Sequence, residues 1–332
     1  MSRQRTVTFA CSLALSATLS LDVIADPHDQ HARGHGKFEF ALIGDVPYGV
    51  LPGQDYAPFD ALIREVNDSR KLKWVLHAGD IKSGSTECSD AMFMDRLQRY
   101  NQFNKPVVLT PGDNEWTDCH RVAAGQYQPL ERLAKLREVF FIDPGVTIGG
   151  KPIAVETQAA IVGYEEFPEN VRWVEQNVVF AVMHVVGSNN AENEFPGRTE
   201  ADDDEVVRRT NAALEWMNST FNKAKDMNSP AVFLMIHANP NLERSDAIGS
   251  AFSGFIAALE SHVTDYGKPV VLAHGDSHYF RVDKPRLVNS NFVKNFTRVE
   301  TFGSGNVHWL RVVVDPKSEE VFTIHQEIVE AN

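Results

Sequence analysis

Short apolar runs alternate with longer amphipathic segments through most of this chain. FEFALIG at 38–44 reads as a buried strand, and Phe59, Leu62, Ile63 and Val66 then recur at the three- and four-residue spacing of one helix face over 59–70. The alternation continues with a strand at 73–77, a helix at 90–103 whose apolar positions run through Met94, Leu97 and Tyr100, and a strand at 106–110. A helix at 129–140 follows, with Leu130, Leu133, Leu136 and Phe140 along one side. Residues 144–173 are less regular and predict a loop-rich insertion with one or two strands.

VVFAVMHVV at 178–186 predicts a strong buried strand, and the polar stretch GSNNAENEFPGRTEADDDE after it is about 19 residues long. A loop of that length inside a compact fold is uncommon and often functional. A helix at 204–223 begins where the acidic run DDDE meets the positive end of the helix dipole. Strand 231–236, helix 251–265 and strand 269–274 continue the pattern, and shorter strands are expected near 278–283, 299–302, 307–315 and 320–326. The last two alternate apolar and polar positions, as antiparallel strands do. Strands interleaved with helices imply a layered α/β architecture, either a mixed sheet or a pair of sheets covered by helices. No linker or repeat interrupts residues 38–332, so one domain is expected there.

The N-terminus departs from this pattern. Arg3 and Arg5 precede the uncharged stretch VTFACSLALSATLSL, and Val23-Ile24-Ala25 offers a small-residue cleavage site. That arrangement predicts a secretory signal peptide over 1–25, hence an exported, periplasmic or extracellular protein with no membrane attachment after cleavage. Residues 26–37, with His28, His31 and His35, read as a polar, disordered segment. Two cysteines then remain, Cys88 and Cys119; an even count in an exported protein points to one disulfide, the alternative being two buried thiols. The formal net charge of −13 argues against binding a nucleic acid backbone. A phosphorylated small molecule would need its charge met locally, by metal ions or placed Arg and Lys side chains.

The chemistry concentrates just beyond the strands. ALIGDVPYG, VLHAGD, VVLTPGDNEW, FLMIH and VVLAHGDSH each run from apolar residues into acids or imidazoles. Asp45, Asp80, Asp113, His237, Asp276 and His278 all fall there, and Gly44, Gly79, Gly112 and Gly275 each directly precede an acid. A single Asp after Gly is usually a turn or cap residue. Its recurrence at four strand ends points instead to one site at the carboxyl edge of a sheet. Carboxylates gathered this closely would repel and take up protons unless cations entered. Oxygen ligands with a few imidazoles suit manganese, iron, magnesium or zinc. Two such ions could clamp a phosphoryl group and acidify a water for in-line attack.

These stretches resemble the motifs of the calcineurin-like metallophosphoesterases: D-x-H, G-D, G-N-H-E/D, a lone H and G-H-x-H. The corresponding residues are Asp45-Val46-Pro47, Gly79-Asp80, Gly112-Asp113-Asn114-Glu115, His237 and Gly275-Asp276-Ser277-His278. The resemblance implies an αββα sandwich of two mixed sheets flanked by helices, and hydrolysis of phosphomonoesters or phosphodiesters. It implies that Asp80 bridges two ions, that Asp45 and His278 hold the first, and that His237 holds the second with Asp113 and Asp276. Asp113 and Asp276 stand where the family has Asn and His. The added charge favours one or two hard cations such as manganese, magnesium or even calcium over zinc; manganese is expected first, with iron, magnesium, calcium or zinc as the alternatives.

Pro47 occupies the place of a metal-binding His, and Asn114 that of the His that assists the leaving group. Asn114, Glu115 and His184 are the catalytic candidates, and Tyr48, His120, Asn189 and Asn190 are possible substrate or auxiliary residues. A catalytically degenerate relative that binds metal or ligand is the competing expectation, and Pro47 and Asn114 are its basis.

Overall fold

The computed structural model describes residues 36–243, 250–287 and 293–332, together with Met1. The signal peptide and nearly all of the histidine-bearing segment expected at 1–25 and 26–37 lie outside the described residues. Among the described residues, thirteen strands, β1 to β13 in chain order, form two sheets. The first has the order β13-β12-β1-β2-β3-β4. It contains β1 (Phe38–Ile43), β2 (Leu72–His77), β3 (Pro106–Leu109), β4 (Ile148–Gly149), β12 (Trp309–Val314) and β13 (Phe322–Glu327). The second has the order β10-β11-β9-β8-β7-β6-β5. It contains β5 (Glu156–Thr157), β6 (Val171–Glu175), β7 (Val178–Val182), β8 (Val232–Met235), β9 (Val270–His274), β10 (Arg281–Asp283) and β11 (Phe296–Glu300).

β1, β2 and β3 run parallel, as do β7, β8, β9 and β11, while the outer strands are antiparallel. Helices return the chain from β1 to β2, β2 to β3, β7 to β8 and β8 to β9, which permits their parallel pairing. β12 and β13 pair antiparallel, as their alternation predicts.

The two sheets pack face to face through Phe40, Leu42, Trp74 and Leu76 on one side and Phe180, Val182, Phe233 and Met235 on the other. Helices Ala57–Asp68, Asp90–Tyr100 and Pro129–Phe140 cover the outer face of the first sheet. Helices Glu200–Asp226 and Ser253–Tyr266 cover the second. The result is the expected αββα sandwich. Helix Glu200–Asp226 starts earlier than its apolar pattern indicates, because Asp202 accepts hydrogen bonds from both the Thr199 N–H and hydroxyl at 2.8 Å.

One helix face differs from the expectation. Helix Asp90–Tyr100 buries Met92, Phe93, Arg96, Arg99 and Tyr100, whereas Met94 is 55% exposed. The two arginines go inward because the chain supplies acceptors: Arg96 donates to the carbonyls of Ile81 (2.7 Å) and Val50 (2.8 Å), and Arg99 to Asp95 (2.7 Å). Buried guanidinium groups satisfied in this way displace the apolar residues that periodicity alone would place inside.

Candidate metal centre

The carboxyl ends of β1, β2, β3, β8 and β9 deliver Asp45, Asp80, Asp113, His237 and the Asp276–His278 turn to one edge of the sandwich. Two groups of ligand atoms form there, each within 4.8 Å: Asp45, Asp80 and His278, and Asp80, Asp113 and His237. Asp80 belongs to both. Asp276 falls outside both groups but adjoins them, its N–H donating to Asp45 Oδ1 at 3.0 Å and its Oδ2 accepting from the Asn239 N–H at 2.9 Å.

The backbone is bent to make this possible. Asp45, Asp80, Asp276 and His278 all have positive φ, at 56°, 57°, 77° and 56°. Such conformations are disfavoured for residues with a Cβ and persist where the surroundings over-determine them, often at functional sites. The glycines before the acids serve close approach. A methyl group on Gly112 would collide with Asp80, and one on Gly275 with the Asp45 carboxylate.

Imidazole orientation fits a metal. His237 Nδ1 lies 2.7 Å from the Ala78 carbonyl, so that nitrogen carries the proton and donates. Nε2 then faces Asp113 Oδ1 at 3.1 Å and Asp80 Oδ1 at 3.3 Å, with its lone pair free when the ring is neutral. His278 Nε2 is 3.4 Å from Asp45 Oδ1.

Burial pushes the Asp80 carboxyl well above its usual range, with Asp113 and Glu115 adding to the shift. Burial also raises Asp276. It opposes charge on His237, yet the Asp80 and Asp113 carboxylates hold this imidazole well above its ordinary value. Burial likewise works against an ionised Asp113, but the His237 and Ser188 hydrogen bonds bring it down to about 2. This donor set, oxygens with two imidazoles, fits divalent ions.

Around Asp80 the structure gathers Tyr48, Asn114 and Glu115. Tyr48 donates to Asp80 Oδ2 at 2.6 Å and accepts from Asn114 Nδ2 at 2.8 Å. Asn114 also donates from its amide to Asp80 Oδ2 and from its backbone to Asp80 Oδ1, the latter at 3.1 Å. Glu115 is fully buried and accepts from the N–H groups of Gly112 (2.6 Å) and Asp80 (3.2 Å), clamping the two loops together. Pro47 brings no donor.

The other candidates lie apart from the ligand groups. His184 is fully buried, with Nδ1 2.8 Å from Glu169 and its ring edge-on to Trp116. Asn190 is buried against Arg209 and Thr210, while Asn189 is exposed. His120 is half-buried and stacks on Phe195 with ring centroids 4.6 Å apart. Cys88 and Cys119 are joined as a disulfide, both sulfurs beside the Asn114 carbonyl.

Three residues at the site carry no signal in the sequence. Ser188 sits in a left-handed turn and bonds Asp113 Oδ2 at 2.7 Å and Asp118 Oδ1 at 2.8 Å. Asn239 holds Asp276 and Ser277, and Thr301, at the end of β11, reaches Asp45 Oδ2 at 3.3 Å. None lies in a run of ligand-type residues, and only the folded chain brings them in.

The fold is a two-sheet α/β sandwich carrying two candidate metal-ligand groups that share one strand-end carboxylate. The model of the calcineurin-like phosphoesterase family matches residues 19–280, and the chain belongs to that family. Among solved structures, the crystal structure of a 5'-nucleotidase from Candida albicans SC5314 is similar, with 10% identity and a TM-score of 0.43. That match covers 87% of this chain and 50% of the other, so this chain spans about half that protein's length. No curated protein matches the chain. Among the described residues, no helix is long and apolar enough to cross a membrane.

Proposed function

We propose that this protein is an exported, metal-dependent phosphoesterase acting on phosphomonoesters or phosphodiesters of small molecules. The observation that carries the reading is the pair of ligand groups joined through Asp80. Asp45, Asp80 and His278 would hold one divalent ion and Asp80, Asp113 and His237 a second, with Asp276 beside them; manganese suits this oxygen-rich set. Bound ions supply Lewis-acid polarisation of a phosphoryl oxygen and a more acidic water.

The protein's own residues set the stage. Glu115 fixes the backbone of Asp80 and Gly112. The Ala78 carbonyl fixes the tautomer of His237. Tyr48 and Asn114 place hydroxyl and amide donors at the shared carboxylate. Asn114 has no acidic proton to give a leaving group, so substrates with good leaving groups are favoured. The disulfide supports export, since such bonds persist in oxidising compartments.

The competing reading, a binding protein without turnover, draws on the same Asn114. Metal content measured with turnover of p-nitrophenyl phosphate and its bis ester, for wild type and Asp80→Asn, separates the two. Bound metal with turnover that Asp80→Asn abolishes supports the enzyme. Bound metal without turnover supports the binding protein, and neither metal nor turnover refutes both.

A further inference from the structure

The metal centre lies in a strongly acidic surround. Asp45, Asp80, Asp113, Glu115, Asp118 and Asp276 crowd one edge of the sandwich, in a chain whose net charge is already −13. An anionic ester approaching it meets repulsion that bound ions offset only at the reacting phosphoryl group. Two cations stand near these acids. Lys82 is fully buried and donates from Nζ to its neighbour's carbonyl, that of Ser83, at 3.1 Å, so it neutralises the acids from within and does not reach solvent.

Arg121 is placed differently. Its side chain is 48% exposed, and Nη2 is anchored 2.7 Å from Asp118 Oδ2. Asp118 is in turn pinned by Ser188, which also holds Asp113, so the anchor is tied to the ligand loop. That ion pair leaves Nη1 and Nε with no further protein acceptor among the described residues. Nη1 packs close to Gly84 beside Asn114: a methyl group on Gly84 would lie 3.0 Å from Nη1 and 2.6 Å from Asn114 Oδ1, so the absent side chain is what lets both approach. Asn114 itself bonds Asp80 and Tyr48. The guanidinium is thus oriented by a buried carboxylate and packed next to a residue that touches the shared carboxylate of the centre.

We propose that Arg121 binds a non-bridging phosphoryl oxygen of the substrate and biases the site toward doubly charged phosphomonoesters over singly charged diesters. This rests on the phosphoesterase reading. A guanidinium with unused N–H donors matches phosphate geometry, and its attraction grows with the charge of the anion. Because this contact forms with substrate as well as with the transition state, its loss raises KM more than it lowers kcat.

The test uses the full manganese-loaded chain as wild type, Arg121→Ala and Arg121→Lys, with p-nitrophenyl phosphate, its bis ester and inorganic phosphate. Arg121→Ala is expected to raise KM for the monoester about tenfold to a hundredfold, with a smaller rise for the diester. The phosphate dissociation constant, read by calorimetry, should weaken by a similar factor while metal content stays at the wild-type value; the melting temperature falls in Arg121→Ala, which loses the Asp118 pair, and less in Arg121→Lys. Arg121→Lys should recover part of the loss. An active wild type whose KM and phosphate affinity are unmoved in Arg121→Ala overturns the proposal and leaves the hydrolase reading intact. A fall in melting temperature and kcat with KM unchanged also overturns it, because Arg121 would then only brace Asp118. A metal-loaded wild type without turnover or phosphate binding overturns both readings.

Discussion

Gly79 is the residue whose replacement would report most directly on how tightly the centre is built. Its φ is +87°, and an added Cβ would lie 2.7 Å from His237 Nδ1 and 2.8 Å from the Gly112 backbone nitrogen. Neither neighbour is a flexible chain end. The His237 ring is held by the Ala78 carbonyl, and Gly112 by Glu115. Gly79→Ala therefore combines backbone strain of about 1–3 kcal/mol with overpacking of about 1–3 kcal/mol. The sum, about 2–6 kcal/mol, corresponds to a melting temperature lowered by about 3–10 °C for a domain of this size.

The displaced ring would lose its tautomer-fixing partner, and metal affinity should fall about tenfold to a hundredfold. Gly254→Ala is the matched control. It lies in helix Ser253–Tyr266 with nothing within 4 Å of its added methyl, and should stabilise by about 0.5 kcal/mol. Calorimetric melting and manganese titration of both variants provide the assay. If Gly79→Ala melts with wild-type midpoint and binds manganese as tightly as Gly254→Ala, the close-approach reasoning is wrong.

Metal uptake should release protons. His237 and Asp80 both have pKa values raised well above their ordinary ones, and a cation at this cluster displaces those protons. About one to two protons in all should leave on metal uptake, with affinity rising about tenfold per pH unit for each proton displaced. Titration calorimetry in buffers of different ionisation enthalpy reads this directly, and uptake at pH 6 without proton release would contradict it. The same shifts set the stability of the metal-free protein. His237 adds stability below its unfolded value near 6.5, lost as pH rises through its higher folded value. Asp80 ionises at greater cost folded than unfolded above about 3.8, so both make the metal-free protein melt lower as pH rises, a trend that metal should remove.

Away from the centre, Glu169→Gln should cost about 3–5 kcal/mol, because it strips a buried carboxylate from Arg137 (2.6 Å) and His184 (2.8 Å). Burial opposes this charge, yet Arg137 and His184 hold Glu169 down to about 2, so its contribution is present above about 4.5 and lost as pH falls toward 2. Chemical denaturation with metal content as a control checks it. Wild-type stability in the variant would show that the pair contributes nothing net.

The fold was legible because its signal is periodic. Buried parallel strands read as continuous apolar runs and helices as one-sided stripes, and both survive without knowledge of partners. The exception is instructive: helix Asp90–Tyr100 is oriented by Arg96 and Arg99, whose acceptors are the Ile81 and Val50 carbonyls and Asp95, and no window of sequence shows where a distant carbonyl will stand. The candidate ligand positions stood out for a related reason. Each sits two to four residues beyond a strand, and the glycine before each acid records a local steric demand. Ser188, Asn239, Thr301 and Arg121 answer demands set by other parts of the chain. Thr301 meets Asp45 only because β11 lies beside β9 in the second sheet.

Two of the positions where the resemblance implies imidazoles, Pro47 and Asn114, share a setting around Asp80. Their surroundings are not apolar. Tyr48, next to Pro47, donates to Asp80 Oδ2 at 2.6 Å, and Asn114 donates to the same carboxylate from both backbone and side chain. With Glu115 holding the Asp80 N–H, the shared ligand is fixed by neutral donors and one buried carboxylate. Neutral donors favour the ionised form of Asp80 without competing for the cation, whereas an imidazole could do either. A centre built this way depends on Asp80 more heavily than one with four imidazoles. Loss of Asp80 would leave Tyr48 and the Asn114 amide without their shared acceptor as well as removing the atom common to both ligand groups.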